Sequence, residues 1–202
     1  MALHLYAANT SNAQRASCAL EEFGLPYTLH KLDLSKGEQK SAEFLAINPA
    51  GQVPALVDDA AGVKLAQSCA ILLYLADKTG KLLPAAKKAD VLRLVAYAAS
   101  DVSGAIGAYV GFSMSKLADK PAPVAEWLAA RVVSALGQAD KALADGRPFI
   151  AGDEFTIADL ALAPAARRAK DIPGVADLGH LQAYVARIFA RPAMAKGLAA
   201  LA

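Results

Sequence analysis

The spacing of hydrophobic and polar residues changes partway along the chain. At the start, Leu3-His4-Leu5-Tyr6 alternates apolar and polar, the period-two pattern of a short strand. Residues 13–23 are helix-forming and stop at Gly24, a residue suited to the left-handed position after a helix. Pro26 follows, and residues 27–34 predict a second strand. Residues 41–47 predict a short helix ended by Asn48-Pro49. Two short strands, 54–57 and 63–65, flank the turn residues 58–62. Residues 67–78 predict a helix that ends at Thr79-Gly80. The order is βαβ, helix, ββ, helix, and its first unit needs a right-handed crossover between parallel strands.

After Leu83-Pro84 the strand pattern disappears. Residues 90–116 predict one long helix, bent near Gly104, Gly107 and Gly111. Pro121-Ala122-Pro123 opens another, in which Val124, Leu128, Val132 and Leu136 share a stripe extended by Trp127 and Leu143. Residues 156–169 predict a third helix, Leu178, Leu181, Val185 and Ile188 mark a fourth, and Pro192 opens a short last one. The expected architecture is α+β in two domains: an α/β domain over 1–80, a linker over 81–88 and an all-α domain over 89–202. No internal repeat interrupts this layout.

Composition narrows the function classes. With 202 residues and 55% hydrophobic content the chain can build two cores. A net charge of +2, well mixed, gives no nucleic-acid surface and no polybasic membrane patch. The uninterrupted apolar runs are far shorter than a bilayer crossing needs. The first residues lack a basic region followed by an apolar core, so no signal peptide is expected. Cys18 and Cys69 form neither a CxxC nor a disulfide framework, which fits a reducing cytoplasm. His4, His30 and His180 have no metal-ligand spacing, and no metal is expected.

The most informative segment is Asn48-Pro49-Ala50-Gly51-Gln52-Val53-Pro54-Ala55-Leu56, followed by Gln67-Ser68-Cys69. A proline opening a strand donates no ladder hydrogen bond. Val53–Pro54 is a natural place for a cis peptide, leaving the Val53 backbone to pair with a ligand's peptide backbone. The helix that begins at Gln67-Ser68 offers free N–H groups and a positive dipole end to a carboxylate. A peptide-pairing edge beside such a helix end suits a small acidic peptide such as glutathione. Between the first strand and first helix stands Asn9-Thr10-Ser11-Asn12, where dithiol redox proteins of thioredoxin-like order carry a CxxC. Hydroxyls and amides there suit the binding of an external thiol. Lowering a thiol pKa from about 8.5 by two requires about 2.7 kcal/mol of thiolate stabilisation. One or two hydrogen bonds to the anion, at roughly 1.5–3 kcal/mol each, suffice.

These segments and the two-part layout, over nearly the full length, resemble the cytosolic glutathione transferases. The resemblance implies a thioredoxin-like N-terminal domain that binds glutathione and an all-α second domain. It also implies a homodimer with a cytoplasmic, detoxifying role, in which the bound thiolate attacks an electrophile. The thiolate donor is Ser11, Thr10 or Asn12. Ser11, four residues before Arg15, is similar to the serine of the theta-like and delta-like classes. Thr10 falls where beta-class enzymes carry a cysteine. Thr10-Ser11-Asn12 also resembles the Thr-x-Asn of bacterial nu-class proteins, associated with glutathione-dependent disulfide and peroxide reduction. A non-catalytic glutathione-binding module is the remaining alternative. Ser, Thr and Asn are also ordinary helix caps.

By the same resemblance Ser68 holds the γ-glutamyl carboxylate, and Gln67, where many relatives have glutamate, accepts from the ligand ammonium. Asp101 on the long helix reaches the partner subunit's ligand. Lys36 and Gln52 are candidates for the glycine carboxylate, and Val53-Pro54 for the cysteinyl backbone. Tyr109, Phe112 and Met114 are candidates for the second-substrate pocket. Cys69 stands as a minor redox candidate at a helix N-terminus. Thr156-Ile157-Ala158-Asp159 reads as a capping box rather than a catalytic aspartate.

Overall fold

The computed structural model describes residues 2–117 and 119–202 and divides into two compact units. The first runs to Leu83 and includes Phe189–Ala202; the second is Pro84–Ile188.

The first unit holds a four-stranded sheet of order β2-β1-β3-β4. Its strands are β1 (Leu3–Ala7), β2 (Tyr27–Lys31), β3 (Ala55–Asp58) and β4 (Val63–Ala66). β1 pairs parallel with β2 (Leu5 opposite Leu29) and antiparallel with β3 (Leu5 opposite Leu56). Leu3, Leu5 and Ala7 point to the buried face, as the alternation predicts. On the other face Tyr6 stacks on His30 at 4.4 Å between centroids. Helix α1 (Ser11–Phe23) is capped at Thr10, whose Oγ1 accepts the Ala13 N–H at 3.1 Å. It ends at Gly24 with φ of 68°, a left-handed cap that needs glycine. The short α2 (Ala42–Leu45) and the longer α3 (Ser68–Thr79) complete the α/β part.

β2 stops at Lys31, short of the expected residue 34, and Leu34–Lys36 forms a tight 3₁₀ turn. The Asp33 carboxylate takes the Ser35 N–H at 2.9 Å, and this local bond outcompetes strand pairing. At the C-terminus, α9 (Pro192–Ala199) lies against α1. The approach is close: a Cβ on Gly197 would stand 2.5 Å from Cys18 Cα. Ser17 Oγ donates to the Gly197 carbonyl at 2.8 Å, and Arg191 grips Glu22 with two 2.7 Å bonds.

The second unit is helical: α4 (Lys88–Tyr97), α5 (Ser103–Met114), α6 (Ala122–Leu143), α7 (Ile157–Arg168) and most of α8 (Gly179–Phe189). The expected long helix exists, but its irregularity is a π-turn at Ala98–Val102, ahead of Gly104, Gly107 and Gly111. Ser103 Oγ donates to the Ala98 carbonyl at 2.7 Å, a side-chain bond inserted into the ladder. The run Ala85–Met114 has the length and composition to cross a membrane, which a search for unbroken apolar runs overlooks. Here Val91, Leu94, Val95, Ala98, Val102, Ala105 and Ile106 are buried within the second unit, as in a core helix.

On α6, Leu128, Val132, Leu136 and Leu143 are buried as expected, whereas Val124 and Trp127 are 39% and 58% exposed. An i, i+4 row drifts by about 40° per step around a helix, so the seam rotates away from the first turn. Trp127 instead lies under the Arg131 guanidinium at 5.1 Å. The capping box at α7 is present and fully buried. Asp159 takes the Thr156 N–H at 2.8 Å, the Ile150 N–H at 2.9 Å and the Tyr184 hydroxyl at 2.9 Å.

Candidate functional site

Three separate segments of the first unit converge on one cleft. The loop before β3 is shaped by Asn48, which is buried. Its Nδ2 donates to the Gln52 carbonyl at 2.6 Å, and its Oδ1 accepts the Ala50 N–H at 3.2 Å. Gly51 sits at φ of 60°, and a Cβ there would meet Lys40 Nζ at 2.6 Å and the Gln39 carbonyl at 2.9 Å. The Val53–Pro54 peptide is cis, as the sequence predicts. Across the hairpin, Gln67 adopts φ of 71°, a left-handed conformation that costs a non-glycine residue about 1–3 kcal/mol. That kink ends the hairpin and starts α3 at Ser68.

The cleft has a cavity volume of about 30 Å³ and is lined by Asn12, Asn48, Gln52, Val53, Pro54, Gln67 and Ser68. A neighbouring cleft of about 300 Å³ is lined by Thr10, Asn12, Leu34, Gln39, Gly51, Gln52 and Val53. The two share Asn12, Gln52 and Val53. Of the candidate thiolate donors, Asn12 borders both clefts and Thr10 one. Ser11, the first residue of α1, is not among the lining residues. Thr10 is also the helix cap, so its oxygen is engaged as an acceptor while its hydrogen stays available to donate.

Arg15 lies beneath the site, buried to 2% exposure. Its Nη1 donates to Asn12 Oδ1 at 2.8 Å and faces Ser68 Oγ at 3.3 Å. Burial lowers the guanidinium pKa from its ordinary value, and the nearby Cys69 acts in the opposite direction. Burial pushes the Cys69 thiol up, against the pull of Arg15 and Ser68. The thiol is therefore not the activated one a helix N-terminus suggests, because desolvation outweighs the positive neighbours.

Lys36 is exposed and pairs with Asp33 at 3.3 Å, and it borders neither cleft. Lys40 is nearer: its Nζ donates to the Ala50 carbonyl at 3.3 Å, against the Gly51 wall. Gln39 borders the larger cleft, and its Oε1 is buried with no hydrogen-bond partner among the described residues. Arg15 and Asn48 as site neighbours escape sequence reading because polar residues mid-helix or in a loop look solvated until the fold buries them, and Gln39 and Lys40 because only the fold brings their turn against Gly51.

The remaining candidates belong to the second unit. Asp101 is exposed within the π-turn, 2.5 Å from Ser100 Oγ. It borders a cleft of about 190 Å³ within that unit, with Arg131, Ser134 and Gln138. Tyr109 and Phe112 are half-buried on α5. Met114 is 77% exposed and lies about 140° around the helix from Tyr109, so the three do not share a face. His4 and His30, 26 positions apart, are hydrogen-bonded to each other at 3.0 Å, with Asp59 3.1 Å from His4. Parallel pairing of β1 and β2 in register (His4 opposite Thr28) brings them together. Among the described residues no group of His, Cys, Asp and Glu could hold a metal.

A cis-proline loop, a helix N-terminus and a polar turn around one cleft on a thioredoxin-like sheet define a thiol- or peptide-binding member of that fold. Comparison with known proteins agrees. Residues 1–77 match the family model for the glutathione S-transferase N-terminal domain, and residues 121–187 the model for its C-terminal domain. Glutathione S-transferase 3 of Zea mays is 36% identical over 94% of this chain and 90% of its own. The disulfide-bond oxidoreductase YghU of Escherichia coli is 30% identical over 96% of this chain and 73% of its own. Among solved structures, a glutathione transferase family member from Pseudomonas fluorescens with two glutathione bound superposes with a TM-score of 0.89. It is 31% identical, over 97% of this chain and 92% of that one. The chain belongs to the glutathione S-transferase family.

Proposed function

We propose that the protein is a glutathione-dependent enzyme that binds glutathione in the first unit and activates its thiol. The observation that carries this reading is the convergence of Asn12, Gln52, Val53, Gln67 and Ser68 on one cleft, from three segments distant in sequence. The cysteinyl backbone pairs with the Val53 N–H and C=O. The γ-glutamyl carboxylate takes the Ser68 hydroxyl and N–H at the start of α3, where the dipole favours an anion. The Gln67 amide accepts from the ammonium. The glycine carboxylate lies toward Gln52, with Lys40 better placed than Lys36 to neutralise it.

The sulfur then sits by Thr10 and Asn12, whose O–H and N–H groups stabilise the thiolate; Ser11 is the third candidate. The thiol proton leaves to water. The thiolate attacks an electrophilic carbon, forming a C–S bond and expelling the leaving group with its electron pair. Tyr109 and Phe112 are candidates for holding that substrate. Two features favour a second reaction at the same site, glutathione-dependent disulfide reduction. One is the Thr10-x-Asn12 pair at the cleft, and the other is the likeness to YghU. There the thiolate attacks a disulfide sulfur and releases the other half as a thiolate.

A homodimer with Asp101 near the partner's ligand and a reducing cytoplasmic setting complete the reading. Turnover with a chloronitroaromatic and with a glutathione mixed disulfide separates the two reactions. Activity with neither, alongside tight glutathione binding, supports the non-catalytic module. Failure to bind glutathione overturns the proposal.

A further inference from the structure

Arg15 stands out because it touches both ends of the cleft. A guanidinium has hydrogens to donate and no lone pair to offer. Any group bonded to it must turn an acceptor toward it. The asparagine side chain has an acceptor at one end and two donors at the other. With Oδ1 of Asn12 held at 2.8 Å from Arg15 Nη1, the Nδ2 hydrogens face away from Arg15, on a side chain that borders both clefts. Nη1 carries a second hydrogen, aimed at Ser68 Oγ at 3.3 Å. The serine oxygen therefore accepts, and its own hydrogen points away from Arg15, with the neighbouring Cys69 sulfur as its partner until an anionic ligand, a stronger acceptor, takes its place.

We infer that Arg15 is a positioning residue that sets the hydrogen-bond polarity of the whole cleft: it makes Asn12 present N–H, and Ser68 present O–H, to an anionic ligand. This inference rests on the glutathione reading for the identity of the anion. Without Arg15, the Asn12 amide can turn its oxygen to the sulfur, which repels a thiolate and favours the neutral thiol. Ser68 can likewise accept rather than donate. Because Arg15 is buried, its orientation of both groups is established before ligand arrives, so neither must reorganise on binding.

The test uses Arg15→Met, which keeps much of the volume, and Arg15→Lys, which keeps a donor-only group. In ligand-free protein the Asn12 side-chain amide resonances, assigned by their loss in Asn12→Asp, should move in Arg15→Met. With glutathione bound, ultraviolet titration should show the thiol pKa higher by about 1 in Arg15→Met, the loss of one hydrogen bond to the anion. Arg15→Lys should recover at least half of that rise. If Arg15→Met does not fold, Arg15→Lys decides: a bound-thiol pKa within about 0.5 of wild type supports the inference, and a rise of about 1 overturns it. Unmoved Asn12 resonances with an unchanged thiol pKa in folded Arg15→Met overturn it, as does equal impairment by Met and Lys. If wild type binds no glutathione yet the Asn12 resonances move, the glutathione reading fails and the polarity assignment stands.

Discussion

Lys78 Nζ stands 2.8 Å from Asp58 Oδ2, joining the last residue of β3 to the last turn of α3. Tyr74 donates to the same oxygen at 2.6 Å, and the Ala60 and Ala61 N–H groups donate to Oδ1 at 3.1 and 3.3 Å. One buried carboxylate thus ties the hairpin turn to the helix whose N-terminus borders the cleft. The Lys78 and Tyr74 hydrogen bonds hold its pKa down to about 2.

The sign of the pH effect follows. The folded pKa is below the unfolded value of about 3.9, so the network stabilises fully above that value and is lost as pH falls through about 2. Asp58→Asn should cost about 2–3 kcal/mol at pH 7, the scale of hydrogen bonds to a charged group. It should also flatten the decline in melting temperature between pH 5 and pH 2, roughly the window in which paired carboxylates titrate. Equal acid sensitivity in variant and wild type would show that Asp58 does not report on this window.

The buried box at the start of α7 predicts a structural phenotype. Thr156→Ala should cost about 1–2 kcal/mol, the value of a cap. Asp159→Ala should cost more, because it leaves the Tyr184 hydroxyl and the Ile150 N–H buried and unpaired. Turnover per folded molecule should hold in both. A collapse of turnover with an unaltered melting curve would make Asp159 catalytic instead.

Gly197→Ala tests the seam between α1 and α9. The added methyl meets Cys18 backbone atoms at 2.5 and 2.7 Å, which no side-chain rotation relieves. Overpacking of this kind costs about 1–3 kcal/mol. Denaturant melts should show that loss; a variant as stable as wild type would mean the two helices separate without penalty.

At the ligand end, Ser68→Ala should weaken binding of S-methylglutathione, which has no thiol to ionise, by roughly ten-fold, one charge-assisted bond. Calorimetric titration reads this directly, and unchanged affinity would remove Ser68 from the carboxylate site.

Much of this was legible in the sequence where local chemistry decides. Gly24 at the end of α1, the Val53–Pro54 peptide and the Thr156–Asp159 box each follow from one or two residues whose backbone options are few. The alternation at Leu3 to Tyr6 placed β1 because period two admits one buried face. The misses need information from elsewhere in the fold. The π-turn at Ala98–Val102 depends on a serine bonding back to the Ala98 carbonyl, while the glycines that suggested a bend stay in regular helix. Trp127 is the exception: grouped with the stripe, it stands about 100° around the helix from Leu128 and about 180° from Leu136, so helix geometry alone turns it away from the buried row. Arg15 read as a marker near Ser11; that it reaches Ser68, 53 positions away, is a tertiary fact.

The central claim is that the cleft bordered by Thr10, Asn12, Val53 and Ser68 stabilises glutathione as its thiolate. The most direct measurement is the absorbance of bound glutathione near 240 nm as a function of pH, on the wild-type protein. The bound thiol should titrate at least about 1 pH unit below the free thiol, with an inflection near pH 7. Thr10→Ala or Asn12→Ala should move that inflection back up by about 1, the loss of one hydrogen bond to the anion. A bound thiol that titrates where free glutathione does would contradict the account.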